Sequence, residues 1–298
     1  VPVDPQIAPL VDVINAAAAK LPPIWEQSVA DRRQAYLDLT GIVGTGPNLD
    51  QVHDHEIAGV GCRTYANDGA AGTLLFLHGG GFVIGDLETH DQVCRQLAVE
   101  SGATVIAVDY RCAPEHPFPA AVDDCWAVFE ALATESAANG TKIAVTGDSA
   151  GGNLAAVLAI MARDANLDLA AQLLVYPAVD VEDQSPSMAE NGEGYVLTAE
   201  TMAWFMAQYA ADPQDWRASP LHAHSFDKLA PALVITAQYD PLRDQGVLYA
   251  DALKDAGNDV TLTNYDGMVH LFFQLGPLCD SGKAAISQVA DAARRALA

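Results

Sequence analysis

Basic residues are scarce in this chain. Its 15 Lys and Arg stand against 39 Asp and Glu, a formal charge of −24 over 298 residues. A surface so dominated by carboxylates repels phosphate backbones and anionic lipid, which argues against nucleic acid and membrane surfaces as partners. Strongly anionic substrates are disfavoured for the same reason. Long apolar runs are absent too: no stretch approaches the ~18 consecutive apolar residues of a membrane span. The opening Val1-Pro2-Val3-Asp4 shows neither the basic region nor the apolar stretch of a secretion signal. Cysteine is sparse and odd in number. Cys62, Cys94, Cys112, Cys125 and Cys279 are scattered, which fits reduced thiols in a cytoplasm better than a disulfide framework. No spacing of a metal site occurs, nor either of the glycine signatures for phosphate or dinucleotide binding. No metal and no cofactor is expected. The acids are mostly Asp, and only five lysines occur; salt adaptation and a codon bias toward Ala, Asp and Gly explain that equally well.

Half of the residues are hydrophobic, enough for a sizeable core. Strand-like runs at Thr73–Leu77, Thr104–Val108, Lys142–Thr146, Gln172–Val175, Ala232–Thr236 and Val260–Thr263 alternate with helical stretches. The helical stretches are Asp91–Glu100, Ala121–Glu135, Ser149–Arg163, Asp244–Ala256 and Ser281–Leu297. Such alternation predicts an α/β class with a doubly wound, mostly parallel sheet flanked by helices. Two segments stand outside it. Residues 1–45 carry helical patterns around a Leu21-Pro22-Pro23 break, and 183–220 interrupts the alternation, leaving 46–182 and 221–298 as the two parts of the core. Within the interruption Thr198 is a good N-cap, and Met202, Phe205, Met206 and Tyr209 recur at helical spacing. That stripe reads as packed core in preference to pocket lining, with Trp204 and Trp25 as weaker candidates for lining.

The chemistry gathers in three places. Gly147-Asp148-Ser149-Ala150-Gly151 falls where a strand turns into a helix, a sharp elbow that lifts the Ser149 hydroxyl clear of the sheet. By itself the pentapeptide is a weak signal. The second place is His78-Gly79-Gly80-Gly81-Phe82, after the strand at Thr73–Leu77. Consecutive glycines expose backbone N–H groups, which acyl transfer needs to stabilise the developing oxyanion; each such donor is worth roughly 10²–10³ in rate. The donors are assigned to Gly80, Gly81 and Ala150. The third is the order Ser…Asp…His. Asp240 and His270 each follow a strand, and chemistry in parallel sheets gathers beyond strand carboxyl ends.

Other candidates read as structural. Asp244 lies inside a helix. His78 is read as orienting the glycine loop, His116 sits among prolines, and His222 and His224 fall in a polar, solvated stretch. Asp148 reads as a hydrogen-bonded acid that braces the elbow.

These segments, with Asp109-Tyr110-Arg111-Cys112-Ala113-Pro114-Glu115, Asp240-Pro241-Leu242-Arg243-Asp244 and Gly267-Met268-Val269-His270, resemble the hormone-sensitive-lipase-like family of α/β-hydrolase carboxylesterases, in its G-D-S-A-G branch. The likeness covers most of the chain, least clearly the first ~45 residues. It implies an α/β-hydrolase fold in which 1–45 and 183–220 form a helical cap over the catalytic face. It also implies a Ser149–His270–Asp240 triad, a covalent acyl-enzyme, and short- to medium-chain or aryl ester substrates. Candidates for the substrate pocket are Phe82, Trp204 and Leu271. An amidase or deacetylase, an acyltransferase and, with least weight, a non-catalytic receptor stay open. So does a homodimer. Two departures are visible: Cys112 replaces the usual Leu, and Leu271 replaces a common Gly beside the His, adding bulk there.

Overall fold

The computed structural model describes residues 1–298. Helices α1 (Ala8–Ala18) and α2 (Val29–Gly41) lie on either side of the Pro22-Pro23 break, and Ser28 caps the second by accepting the Asp31 N–H at 3.1 Å. Strands β1 (Gln51–Ile57) and β2 (Val60–Ala66) then form a hairpin. Its two turn residues, Ala58 and Gly59, both take positive φ (51° and 81°), a turn whose twist matches that of the strands. The alternation follows: β3 (Thr73–Leu77), α3 (Asp91–Ser101), β4 (Thr104–Val108), α4 (Ala120–Asn139), β5 (Ile143–Asp148), α5 (Ala150–Ala165) and β6 (Gln172–Val175). Helices α6 (Pro186–Asn191) and α7 (Ala199–Tyr209) interrupt it before β7 (Ala232–Tyr239), α8 (Arg243–Asp255), β8 (Val260–Val269) and α9 (Asp280–Leu297).

The eight strands form one sheet in the order β1-β2-β4-β3-β5-β6-β7-β8. Strand β2 runs antiparallel to both neighbours, and every pair from β4 to β8 is parallel. All six expected strands are present. The hairpin is an addition, hard to see in sequence because β1 carries Asp, Glu and two His on an exposed edge. Strands β5, β7 and β8 also run further than their apolar cores predict. Their ladders continue to the end of the sheet, where Asp148 pairs with Val175 and Tyr239 with Val269 past a bulge after Ala237. These extensions deliver Ser149, Asp240 and His270 directly at strand ends.

Both faces of the central strands are buried, as parallel sheets require. Leu75 and Leu77 of β3 join a core built with α4, α5 and α8, and Leu74 and Phe76 join a second core with α3 and α9. The N-terminal segment and the 183–220 segment meet each other: Asn15 donates its amide to the Gly194 carbonyl at 2.8 Å. Arg33 of α2 donates to the carbonyls of Val83 (2.9 Å) and Ala113 (3.1 Å), which pins this helix to the loops after β3 and β4. Thr198 caps α7 through the Thr201 N–H at 3.1 Å. Phe205 and Tyr209 of its apolar stripe are buried, and Met202 and Met206 are half-buried. No helix is long and apolar enough to cross a membrane.

Candidate active site

Ser149 sits between β5 and α5 at φ 56° and ψ −118°, a conformation that costs about 1–3 kcal/mol and persists only where the surroundings enforce it. Here they do. Its N–H donates to Val175 O at 2.9 Å, and its carbonyl accepts from Asn153 N (3.0 Å) and Ala178 N (3.2 Å). The turn is also sterically closed. A Cβ on Gly151 would lie 1.9 Å from the Leu77 carbonyl oxygen, so only glycine lets α5 start against β3.

The expected acid and base converge on this serine. His270 Nε2 is 3.1 Å from Ser149 Oγ, and His270 Nδ1 is 2.7 Å from Asp240 Oδ2. Exposure is 8 % for Ser149, 2 % for His270 and nil for Asp240. The carboxylate only accepts, so it holds the proton on Nδ1 and leaves the Nε2 lone pair facing the serine. The other carboxylate oxygen accepts the Leu242 N–H at 2.8 Å. Asn191 of α6 donates to the Asp240 carbonyl at 3.2 Å. Tyr176 places its ring 4.4 Å from the imidazole. It stands just past β6 at φ 34°, and its position at a strand's carboxyl end was the only sequence sign of it.

The glycine loop lies alongside. Gly79 N–H donates to Asp148 Oδ1 at 2.9 Å, so Asp148 ties the loop to the elbow. Gly80 and Gly81 take φ of 124° and 61°, and neither N–H donates to a protein acceptor. Ala150 opens α5, where the first N–H groups have no intrahelical acceptor. Three donors are thereby left free. His78 lies 2.9 Å from the Gly79 carbonyl through Nδ1. Burial, reinforced by the neighbouring His90, pushes its pKa down to about 4, so it is neutral and serves as a brace.

The pocket candidates are more enclosed than their sequence positions imply. Phe82 has no exposed surface and stacks on Tyr209 with ring centroids 3.9 Å apart. Trp204 is 2 % exposed and lies edge-on to Phe205. Phe205 in turn covers the loop so closely that a Cβ on Gly81 would fall 2.3 Å from its ring. Trp25 is 53 % exposed. Leu271 is half-buried at φ 74°; the common Gly at this position suits a left-handed backbone, which Leu adopts under strain. Asp244 is engaged elsewhere, with the Ser187 N–H (2.9 Å) and Arg243 (2.8 Å). His222, within 3.2 Å of Asp180, is exposed as its polar surroundings predict, and His116 and His224 are exposed too.

A family model described as the alpha/beta hydrolase fold matches residues 74–274. Carboxylic ester hydrolase LipN of Mycobacterium tuberculosis is 40 % identical over 276 residues, 88 % of this chain and 71 % of its own. Ethyl acetate hydrolase of Pseudomonas putida is 41 % identical over 237 residues, 76 % of this chain and 74 % of its own. The solved structure of a hyperthermophilic esterase from the archaeon Pyrobaculum calidifontis superposes with a TM-score of 0.92 at 42 % identity, covering 99 % of both chains. The chain therefore belongs to the α/β-hydrolase family, in its hormone-sensitive-lipase-like branch of esterases.

Proposed function

We propose that this protein is a serine carboxylesterase that hydrolyses short- to medium-chain carboxylic esters, aryl esters included, through a covalent acyl-enzyme. The observation that carries this reading is the unbroken line from Ser149 Oγ to His270 to Asp240, beside three unpaired backbone donors. His270 Nε2 takes the serine proton as Oγ attacks the ester carbonyl. Asp240 holds the imidazole tautomer and stabilises the imidazolium that forms. The N–H groups of Gly80, Gly81 and Ala150 receive the oxyanion. The imidazolium then protonates the departing alcohol. Water, deprotonated by His270, attacks the acyl carbonyl, and collapse of that second oxyanion returns the proton to Ser149 Oγ and releases the acid.

Residues 1–45 and 183–220 act together as a cap that excludes water, a reading supported by the Asn15–Gly194 bond and by Phe205 lying over Gly81. The aromatic packing of Phe82, Trp204, Phe205 and Tyr209 around the loop favours small acyl groups. The name of the Pseudomonas putida relative agrees with that size. Five unpaired thiols support a reducing, cytoplasmic location.

The test is p-nitrophenyl butyrate hydrolysis by the parent and by Ser149→Ala, followed as nitrophenolate release. Turnover should fall about 10⁴-fold or more in the variant. Retained turnover would move the nucleophile elsewhere, and no turnover by either protein would reject the esterase.

A further inference from the structure

A second buried histidine–carboxylate pair lies behind the nucleophile. His90, 1 % exposed at the start of α3, places Nε2 3.2 Å from Asp148 Oδ1, and Asp148 has no exposed surface. His90 Nε2 accepts the Gly79 N–H at 3.3 Å, so the imidazole proton sits on the other nitrogen. Asp148 Oδ1 shares that Gly79 N–H, at 2.9 Å. The Nδ1 proton goes to Thr89 Oγ1 at 2.9 Å, whose own proton is given to the Asp86 carbonyl at 2.8 Å. Gln274, one helical turn beyond His270 and 1 % exposed, lays its amide against His90 Nε2 and donates to the Tyr36 hydroxyl at 2.6 Å. Tyr36 belongs to α2. One continuous polar chain thus runs from the N-terminal segment, through Gln274 and His90, to the glycine-loop N–H that Asp148 shares. It draws on five separated stretches of sequence. Its interior is dry of other protein partners: Asp148 Oδ2 and Gln274 Oε1 have none.

From this geometry we infer that His90 is a positioning residue for the oxyanion donors, and that Tyr36 extends its reach to the N-terminal segment. The inference rests on the proposed roles of Ser149, Gly80 and Gly81. Gly79 is the residue before the first free donor, so its N–H fixes the peptide plane from which Gly80 and Gly81 N–H are aimed. Asp148 alone cannot hold that N–H still, because a carboxylate turns about its Cβ–Cγ bond. His90 Nε2 is the second acceptor on the same N–H, and Thr89 anchors its ring at Nδ1, so the shared N–H does not swing with the carboxylate. Donors that are pre-aimed act on the transition state far more than on bound ester. Loss of His90 should therefore lower kcat with little change in KM.

The experiment compares the parent with His90→Ala, His90→Gln and Tyr36→Phe on p-nitrophenyl butyrate. Inhibition by an alkyl trifluoromethyl ketone, which forms a tetrahedral adduct at the serine, is measured beside it. Gln carries an amide oxygen that accepts close to where His90 presents Nε2. His90→Ala should lose about 10²-fold in kcat, the scale of one misaimed oxyanion donor, with KM within threefold. The ketone Ki should rise in parallel with the loss in kcat/KM. His90→Gln should recover about tenfold of that loss. Tyr36→Phe, which deletes one oxygen at the far end, should lower kcat three- to tenfold, and it decides the matter if His90→Ala does not fold. Parent-like kcat and Ki in the folded variants would overturn the inference, as would a loss confined to KM or the absence of any rescue by Gln. The Ser149→Ala control separates the two readings: a fully active Ser149→Ala defeats the proposed mechanism, whereas an inert one beside an unaffected His90→Ala and Tyr36→Phe defeats only the role of His90.

Discussion

Tyr110 stacks on His78 with ring centroids 4.1 Å apart, and its hydroxyl donates to the His78 carbonyl at 2.7 Å. The His78 ring is built into the wall behind the glycine loop, and burial holds its pKa at about 4. In the unfolded chain it returns to its ordinary value near 6.5. Between those values the unfolded state binds the proton and the folded state does not, so acid favours unfolding. Stability should be constant above about pH 7 and fall by about 3 kcal/mol as pH drops from 6.5 toward 4. Urea midpoints taken at half-unit steps would check this, and a flat profile across that window would contradict it. Burial acts on the thiols in the opposite sense: Cys62 and Cys112 are pushed up to about 12, so neither is a thiolate near neutrality. The side chains on the serine, the acid, the base and the loop were legible in sequence because each lies within a local motif that a strand end presents. Tyr176, His90, Gln274 and Tyr36 were not, because each gains its role from a contact with a distant segment.

At the level of elements, the six parallel strands and five core helices were legible from apolar runs of the right length. The β1–β2 hairpin was not, since one of its strands is exposed and polar. Helix α7 shows how an element transmits to the site. Its cap, Thr198, accepts the Thr201 N–H, and Phe205, two turns on, presses over Gly81. Thr198→Ala should cost about 1 kcal/mol, read as a Tm lower by about 2–4 °C. Amide exchange should quicken across Ala199–Tyr209 more than in the sheet. An unchanged exchange rate there would mean that tertiary packing alone holds the helix. The stripe of Met202, Phe205, Met206 and Tyr209 followed from helical period, but Met202 and Met206 remain half-buried. Period fixes which residues share a face, and the neighbour decides how much of that face is covered.

Across the whole molecule the charge is the unusual quantity. Arg63, 14 % exposed, gathers Asp54, Glu88 and Asp91 around it at 2.5, 2.8 and 3.4 Å, yet 15 basic residues cannot neutralise 39 acids. The uncompensated carboxylates repel one another, and that repulsion is screened as the Debye length shrinks from about 10 Å at 0.1 M salt to about 3 Å at 1 M. Raising NaCl over that range should raise Tm, followed by calorimetry at pH 7.5. A fall would show that attractive pairs such as those around Arg63 outweigh the repulsion, and would count against salt adaptation. By itself the sequence determined the six parallel strands, the order of the helices between them, the elbow at Ser149 and the residues at the strand ends, because all of these follow from local period and local turn chemistry. Only the tertiary structure decided that Ser149, His270 and Asp240 touch, that Phe205 closes on Gly81, and that His90 meets Asp148. Those distances depend on how far each ladder runs and on where segments up to 238 residues apart come to rest, which no local pattern encodes.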